Sequence, residues 1–86
     1  VKIHGRVQGV GYRAWVAETA GVIGLDGWVC NCLDGTVEAV FSGAAVDVSD
    51  MLARCRHGPP AACVSDVVIL AEGEPVNNGF RVLPSW

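Results

Sequence analysis

Positive charge and long apolar runs are both scarce in this chain, and each shortage removes a class of protein. Lys and Arg number 6 against 9 Asp and Glu, for a net charge of −3. Such a surface offers a polyanion no general attraction, so nucleic acid is not an expected partner. The longest unbroken apolar run, residues 67–71, is far short of the ~20 residues a membrane helix needs. No charged-then-apolar leader opens the sequence, and a cytoplasmic protein without a membrane partner is expected. A Gly-Lys-Ser/Thr ending is missing from the glycine-rich stretch, which excludes a triphosphate P-loop. Ser42, Ser49, Ser65 and Ser85 sit in no nucleophile-elbow context. The cysteines, Cys30, Cys32, Cys55 and Cys63, follow no zinc-ribbon or finger spacing, so no metal site is expected. Cys30 and Cys32 would share one face of a strand, a poor geometry for a disulfide. They read as thiols packed like small hydrophobes.

What is present fits one small folded domain over residues 1–86. Half the residues are apolar (51%), and a chain this short buries roughly 60–65% of its unfolded surface, enough for a modest core. Val1, Ile3, Gly5 and Val7 alternate with Lys2, His4 and Arg6, the period of a half-buried strand. Trp15, Thr19, Val22 and Ile23 then recur at helical spacing, with Gly24 as a stop. Residues 27–32 form a second strand and residues 36–41 a third, joined by the turn residues Leu33, Asp34 and Gly35. Val48, Met51, Leu52 and Cys55 mark a second helix, ended by His57-Gly58-Pro59-Pro60. A fourth strand is expected over 63–72, a turn-rich loop over 74–79 and a short closing strand over 80–83. This order predicts an α+β, ferredoxin-like βαββαβ sandwich, an antiparallel sheet with two helices on one face.

The functional signal is concentrated near the start. Gly5-Arg6-Val7-Gln8-Gly9-Val10-Gly11-Tyr12-Arg13 is a glycine-punctuated loop between a strand and a helix. Glycine allows tight turns and close backbone approach, and the helix start behind it presents unpaired N–H groups at the positive end of a dipole. Lys2, Arg6 and Arg13 make up three of the six basic residues, while the first acid is Glu18. A guanidinium at a helix N-terminus opposes the dipole unless an anion sits there. The loop therefore reads as an anion cradle. Gly9-x-Gly11-x-x-Ala14 also fits a dinucleotide fingerprint, but Asn31 stands where that motif wants an acid, and the chain has too few strands.

A second stretch narrows the chemistry. Gly27-Trp28-Val29-Cys30-Asn31 and Asp34-Gly35-Thr36-Val37-Glu38, taken with the first loop, resemble the acylphosphatase family; Gly58-Pro59-Pro60 and Gly79-Phe80 resemble its later landmarks. The resemblance implies an enzyme that hydrolyses acyl phosphates to a carboxylate and inorganic phosphate, with no cofactor and no metal. It implies that Gln8, Gly9, Val10, Gly11, Tyr12 and Arg13 bind the phosphoryl group. It also implies that Arg13 and Asn31 are catalytic, with Asn31 positioning the attacking water. A small-molecule acyl phosphate is the expected partner and a monomer the expected state.

Two departures from the family pattern carry expectations. Cys30 stands where many members have arginine, which predicts weaker phosphate binding and activity sensitive to thiol modification at Cys30. Tyr12 replaces the more usual phenylalanine. The rival readings are a non-catalytic acylphosphatase-like accessory module, such as the one that begins larger hydrogenase-maturation carbamoyl-transfer proteins, and an anion-binding module that senses without turnover. The chain stops at Trp86, after its last strand, and this leads to the expectation of a free-standing enzyme.

Overall fold

The computed structural model describes residues 1–70, 76 and 79–84. Strand β1 (Lys2–Arg6) leads through the glycine loop into helix α1 (Tyr12–Ile23). Gly24 closes α1 in the left-handed conformation, with φ 91°, and donates its N–H to Ala20 O at 2.9 Å. The buried stripe of α1 is Tyr12, Val16 and Ala20, at i, i+4 and i+8. This corrects the apolar face expected from Trp15, Thr19, Val22 and Ile23. Trp15 and Ile23 only flank the core, and Val22 is 84% exposed. Small alanine lets α1 lie close to its neighbours, a preference that hydrophobic size does not reveal.

Strands β2 (Asp26–Asn31) and β3 (Val37–Ser42) form the expected hairpin, each one residue from its anticipated position. The turn is held by Asp34, whose Oδ1 accepts from the Thr36 N–H at 3.0 Å and the Thr36 hydroxyl at 2.5 Å. Helix α2 (Ala45–Cys55) buries Met51 and Cys55. Strand β4 (Cys63–Val68) is shorter than expected: Ile69 and Leu70 lie exposed beyond it, and residues 71–72 lie outside the described residues. Strand β5 is Phe80–Val82. Of the turn-rich loop expected over 74–79, only Val76 and Gly79 fall within the described residues.

The sheet order is β4-β1-β3-β2-β5. β1 runs antiparallel to β3 and β4, and β3 antiparallel to β2, as the ferredoxin-like reading requires. β5 departs from the purely antiparallel expectation, since it pairs parallel to β2. The chain reaches it by crossing from the β4 edge to the opposite edge, and a tight hairpin cannot make that connection. The helices close over one face, where Ile3, Val29, Val37, Ala39 and Val67 share a core with Val16, Ala20, Met51 and Cys55. Cross-strand pairs such as Lys2↔Glu38 and His4↔Asp66 occupy the other face.

Gly5 marks a register shift against β4 and has φ 121°. A Cβ there would collide with the Cys63 carbonyl and the Ser65 amide, so glycine is the residue the bulge admits. One consequence of the topology matters most for function. Because β1, β2 and β5 point the same way, their C-terminal ends lie at the same end of the sheet. The glycine loop, Asn31 and Leu83 all arrive there.

Candidate active site

The loop reaches α1 through two residues in the left-handed region, Gly9 (φ 73°) and Gly11 (φ 77°). No atom lies within 4 Å of where a Cβ would stand at either position. Glycine is thus required by backbone conformation, while the space in front of the loop is open to a ligand. Gly11 is the N-cap of α1, and no side chain caps this end; its first turn holds no acidic residue. The helix therefore presents its first amides and its positive dipole end to whatever enters. Arg13, in that first turn, donates from Nη1 to Leu83 O at 3.4 Å, a long bond that leaves its other donors for use elsewhere.

Asn31 ends β2. Its Oδ1 is enclosed by protein and, among the described residues, is the one buried side-chain polar atom without a hydrogen-bond partner. A buried acceptor left unsatisfied costs about 1–3 kcal/mol, which singles Asn31 out among the polar side chains of the fold. Asn31, Arg13, Gly9 and Gly11 line one cavity of about 280 Å³, walled by Val7, Tyr12, Ala14 and Val82. Arg13 is the sole charged residue on that lining, and no carboxylate shares it. An anion entering here meets no like charge at contact distance.

The remaining expected cradle residues sit differently. Gln8 turns its amide away: Nε2 donates to Cys32 O and Thr36 O, both at 2.8 Å. Val10 packs partly buried against the core. Tyr12 lines the cavity, but its hydroxyl is fixed to Cys55 O at 2.8 Å, tying the start of α1 to the end of α2. Burial pushes the Tyr12 phenol well above its ordinary range and the Cys55 thiol up to about 11. The Tyr12 hydroxyl therefore has a structural task that phenylalanine could not perform.

Cys30 is fully buried. Strand alternation sends its side chain to the face opposite Val29 and Asn31, and with the thiol buried there a reagent would reach it only where the strand opens. Around the turn, the Thr36 hydroxyl first and Lys2 second hold the Asp34 carboxyl well below the usual carboxylate range. Lys2 Nζ lies 3.0 Å from Asp34 Oδ2. Sequence reasoning missed Val82 and the Leu83 carbonyl, whose places depend on sheet register, and Ala14 as a cavity wall in the first turn of α1. Among the described residues no cluster of His, Cys, Asp and Glu could hold a metal ion, and no helix is long and apolar enough to cross a membrane.

Fold and site together define an α+β sandwich with an open, arginine-lined cavity at an uncapped helix start, where parallel strands end. The sequence model of the acylphosphatase family matches residues 1–82. An acylphosphatase of Bradyrhizobium diazoefficiens is 52% identical over 91 residues, covering 99% of this chain and 92% of the relative. The crystal structure of acylphosphatase from Bacillus subtilis superposes with a TM-score of 0.89 at 30% identity, covering 95% of this chain and 92% of that one. Full-length HypF, solved in its phosphate- and nucleotide-bound form, matches with a TM-score of 0.79 at 26% identity, over 98% of this chain but 11% of its own. The chain belongs to the acylphosphatase family of enzymes.

Proposed function

We propose that this chain hydrolyses small acyl phosphates, with Arg13 and Asn31 as its catalytic residues. The observation that carries the reading is the meeting of Asn31, Arg13 and the open end of α1 on one cavity, with the Asn31 Oδ1 left unpartnered inside the fold. The phosphoryl group sits against the backbone between Gly9 and Arg13, with the guanidinium on its oxygens. Asn31 accepts a hydrogen bond from water through Oδ1 and can donate to the phosphoryl group through its amide. Water oxygen bonds to phosphorus as the phosphorus–acyl oxygen bond breaks, and the carboxylate departs with the electron pair. A neutral amide is a poor base, so the water proton passes to a phosphoryl oxygen. The leaving acid has a pKa of about 4–5, so no group need protonate it. Positioning and charge stabilisation suffice for so loose a transition state.

The likeness to one part of HypF favours, as a second reading, an accessory module that binds phosphate without turnover. Benzoyl phosphate hydrolysis separates the two. The parent should turn it over; Arg13→Ala should lose roughly 10²–10³ in kcat, the scale of one preorganised charge-stabilising donor. Asn31→Ala should lose roughly 100-fold or more while still binding inorganic phosphate. A folded parent that binds phosphate and never releases benzoate would sink the enzyme reading and leave the module.

A further inference from the structure

We propose that Gln8 is a positioning residue that sets the distance between the phosphate cradle and Asn31. The inference rests on the roles proposed above for the cradle and for Asn31. Gln8 immediately precedes Gly9, the first glycine of the cradle, yet it is absent from the cavity lining. Both N–H groups of one amide nitrogen are committed instead, at 2.8 Å each, to Cys32 O and Thr36 O. Those two carbonyls belong to the turn that Asn31 enters and Val37 leaves, whose two sides are joined by Cys32 N donating to Thr36 O at 2.8 Å. Thr36 is itself held by Asp34, and Asp34 by Lys2 of β1. The strand pair needs no such link for its own ladder, which is complete from Asp26↔Ser42 to Asn31↔Val37.

What the link adds is a fixed span between two pieces of the site that lie 24 to 28 residues apart in the chain. One piece holds phosphate; the other holds water. An in-line attack tolerates little error in that span, and a displacement of about 1 Å costs on the order of 100-fold. Among the described residues, no other side-chain hydrogen bond joins residues 7–11 to residues 31–36.

The test compares Gln8→Met, which keeps length without donors, and Gln8→Glu, which sets a carboxylate against two carbonyls. Each is made in the parent and in the Asn31→Ala background, with folding checked by near-ultraviolet dichroism. In the parent background both should lower kcat on benzoyl phosphate by roughly 10- to 100-fold, with the inhibition constant of inorganic phosphate changed far less. In the Asn31→Ala background neither should lower the residual rate further, because the residue they position is gone. Losses that multiply across the two sites would overturn the proposal, as would a kcat unchanged in folded Gln8→Met. Should Gln8→Met fail to fold, Gln8→Glu carries the same comparison. If Asn31→Ala keeps full turnover, it is the proposed role of Asn31 that fails, an outcome distinct from either.

Discussion

Asn31 and Cys30 are neighbours in sequence and strangers in space, because a strand sends successive side chains to opposite faces. Asn31 meets the cavity, whereas Cys30 is sealed on the far side of the sheet. Cys55 is buried as well, with its thiol pushed up to about 11, which keeps it protonated and unreactive near neutral pH. Cys63 is exposed and Cys32 half-buried. Iodoacetamide should therefore modify Cys63 first, with hydrolysis held within roughly two-fold, the scale of an ordinary surface change. Mass mapping beside an activity trace checks this; activity lost in step with Cys30 labelling would show that the strand opens. The glycines and Arg13 were legible in sequence because their signals are local: backbone freedom, and a cation at a helix start. Asn31 was legible only through the motif around it. Gln8 was placed in the cradle by its neighbours, and nothing in a linear reading announces that its amide spans to a turn 24 residues away.

At the scale of elements, order and type were readable from period and turn chemistry, while facing and edge pairing were not. The expected stripe on α1 followed the larger side chains; the observed stripe follows Tyr12, whose hydroxyl anchors the helix to Cys55 O, and the small Ala20 beneath it. Gly21 lies exposed on that helix, and an added methyl would meet nothing within 4 Å. Gly21→Ala should thus stabilise the fold by about 0.5–1 kcal/mol through lower unfolded-state entropy, seen as a rise of a few degrees in Tm. β5 is the element whose pairing sequence pattern could not supply. Its last link is Leu83 N–H to Val29 O at 2.8 Å, and the Leu83 carbonyl receives Arg13. Leu83→Pro removes that N–H and should shift the carbonyl. Phosphate affinity should weaken roughly 5- to 10-fold, one modest hydrogen bond's worth, with the helices intact by far-ultraviolet dichroism.

For the whole molecule, acid is the informative perturbation. Asp34 is held below its ordinary range by Thr36 and Lys2, so it binds a proton more readily unfolded than folded. A depressed carboxylate contributes stability above its unfolded pKa, about 3.9, and that contribution fades as pH falls toward the lower folded value. The Asp34 side chain is half exposed, so the ion pair to Lys2 is a minor part and the Thr36 bonds are the larger. Asp34→Asn should lower the urea midpoint at pH 7, and the gap from the parent should narrow steadily below pH 4. A gap of constant size from pH 7 to pH 2 would show that charge at Asp34 plays no part. The meeting of three strand ends also has a bearing on how the molecule comes into being. Arg13 and its partner carbonyl on Leu83 are 70 residues apart, and Gln8 is separated from Thr36 by 28. Contacts of such separation close late, after the loops between them have given up their freedom. In synthesis the glycine loop after β1 is made well before β5, so the site stands incomplete until β5 has been made and docked beside β2. Enzymatic activity is then the last native property to appear in refolding, and it reports completion of the fold from end to end.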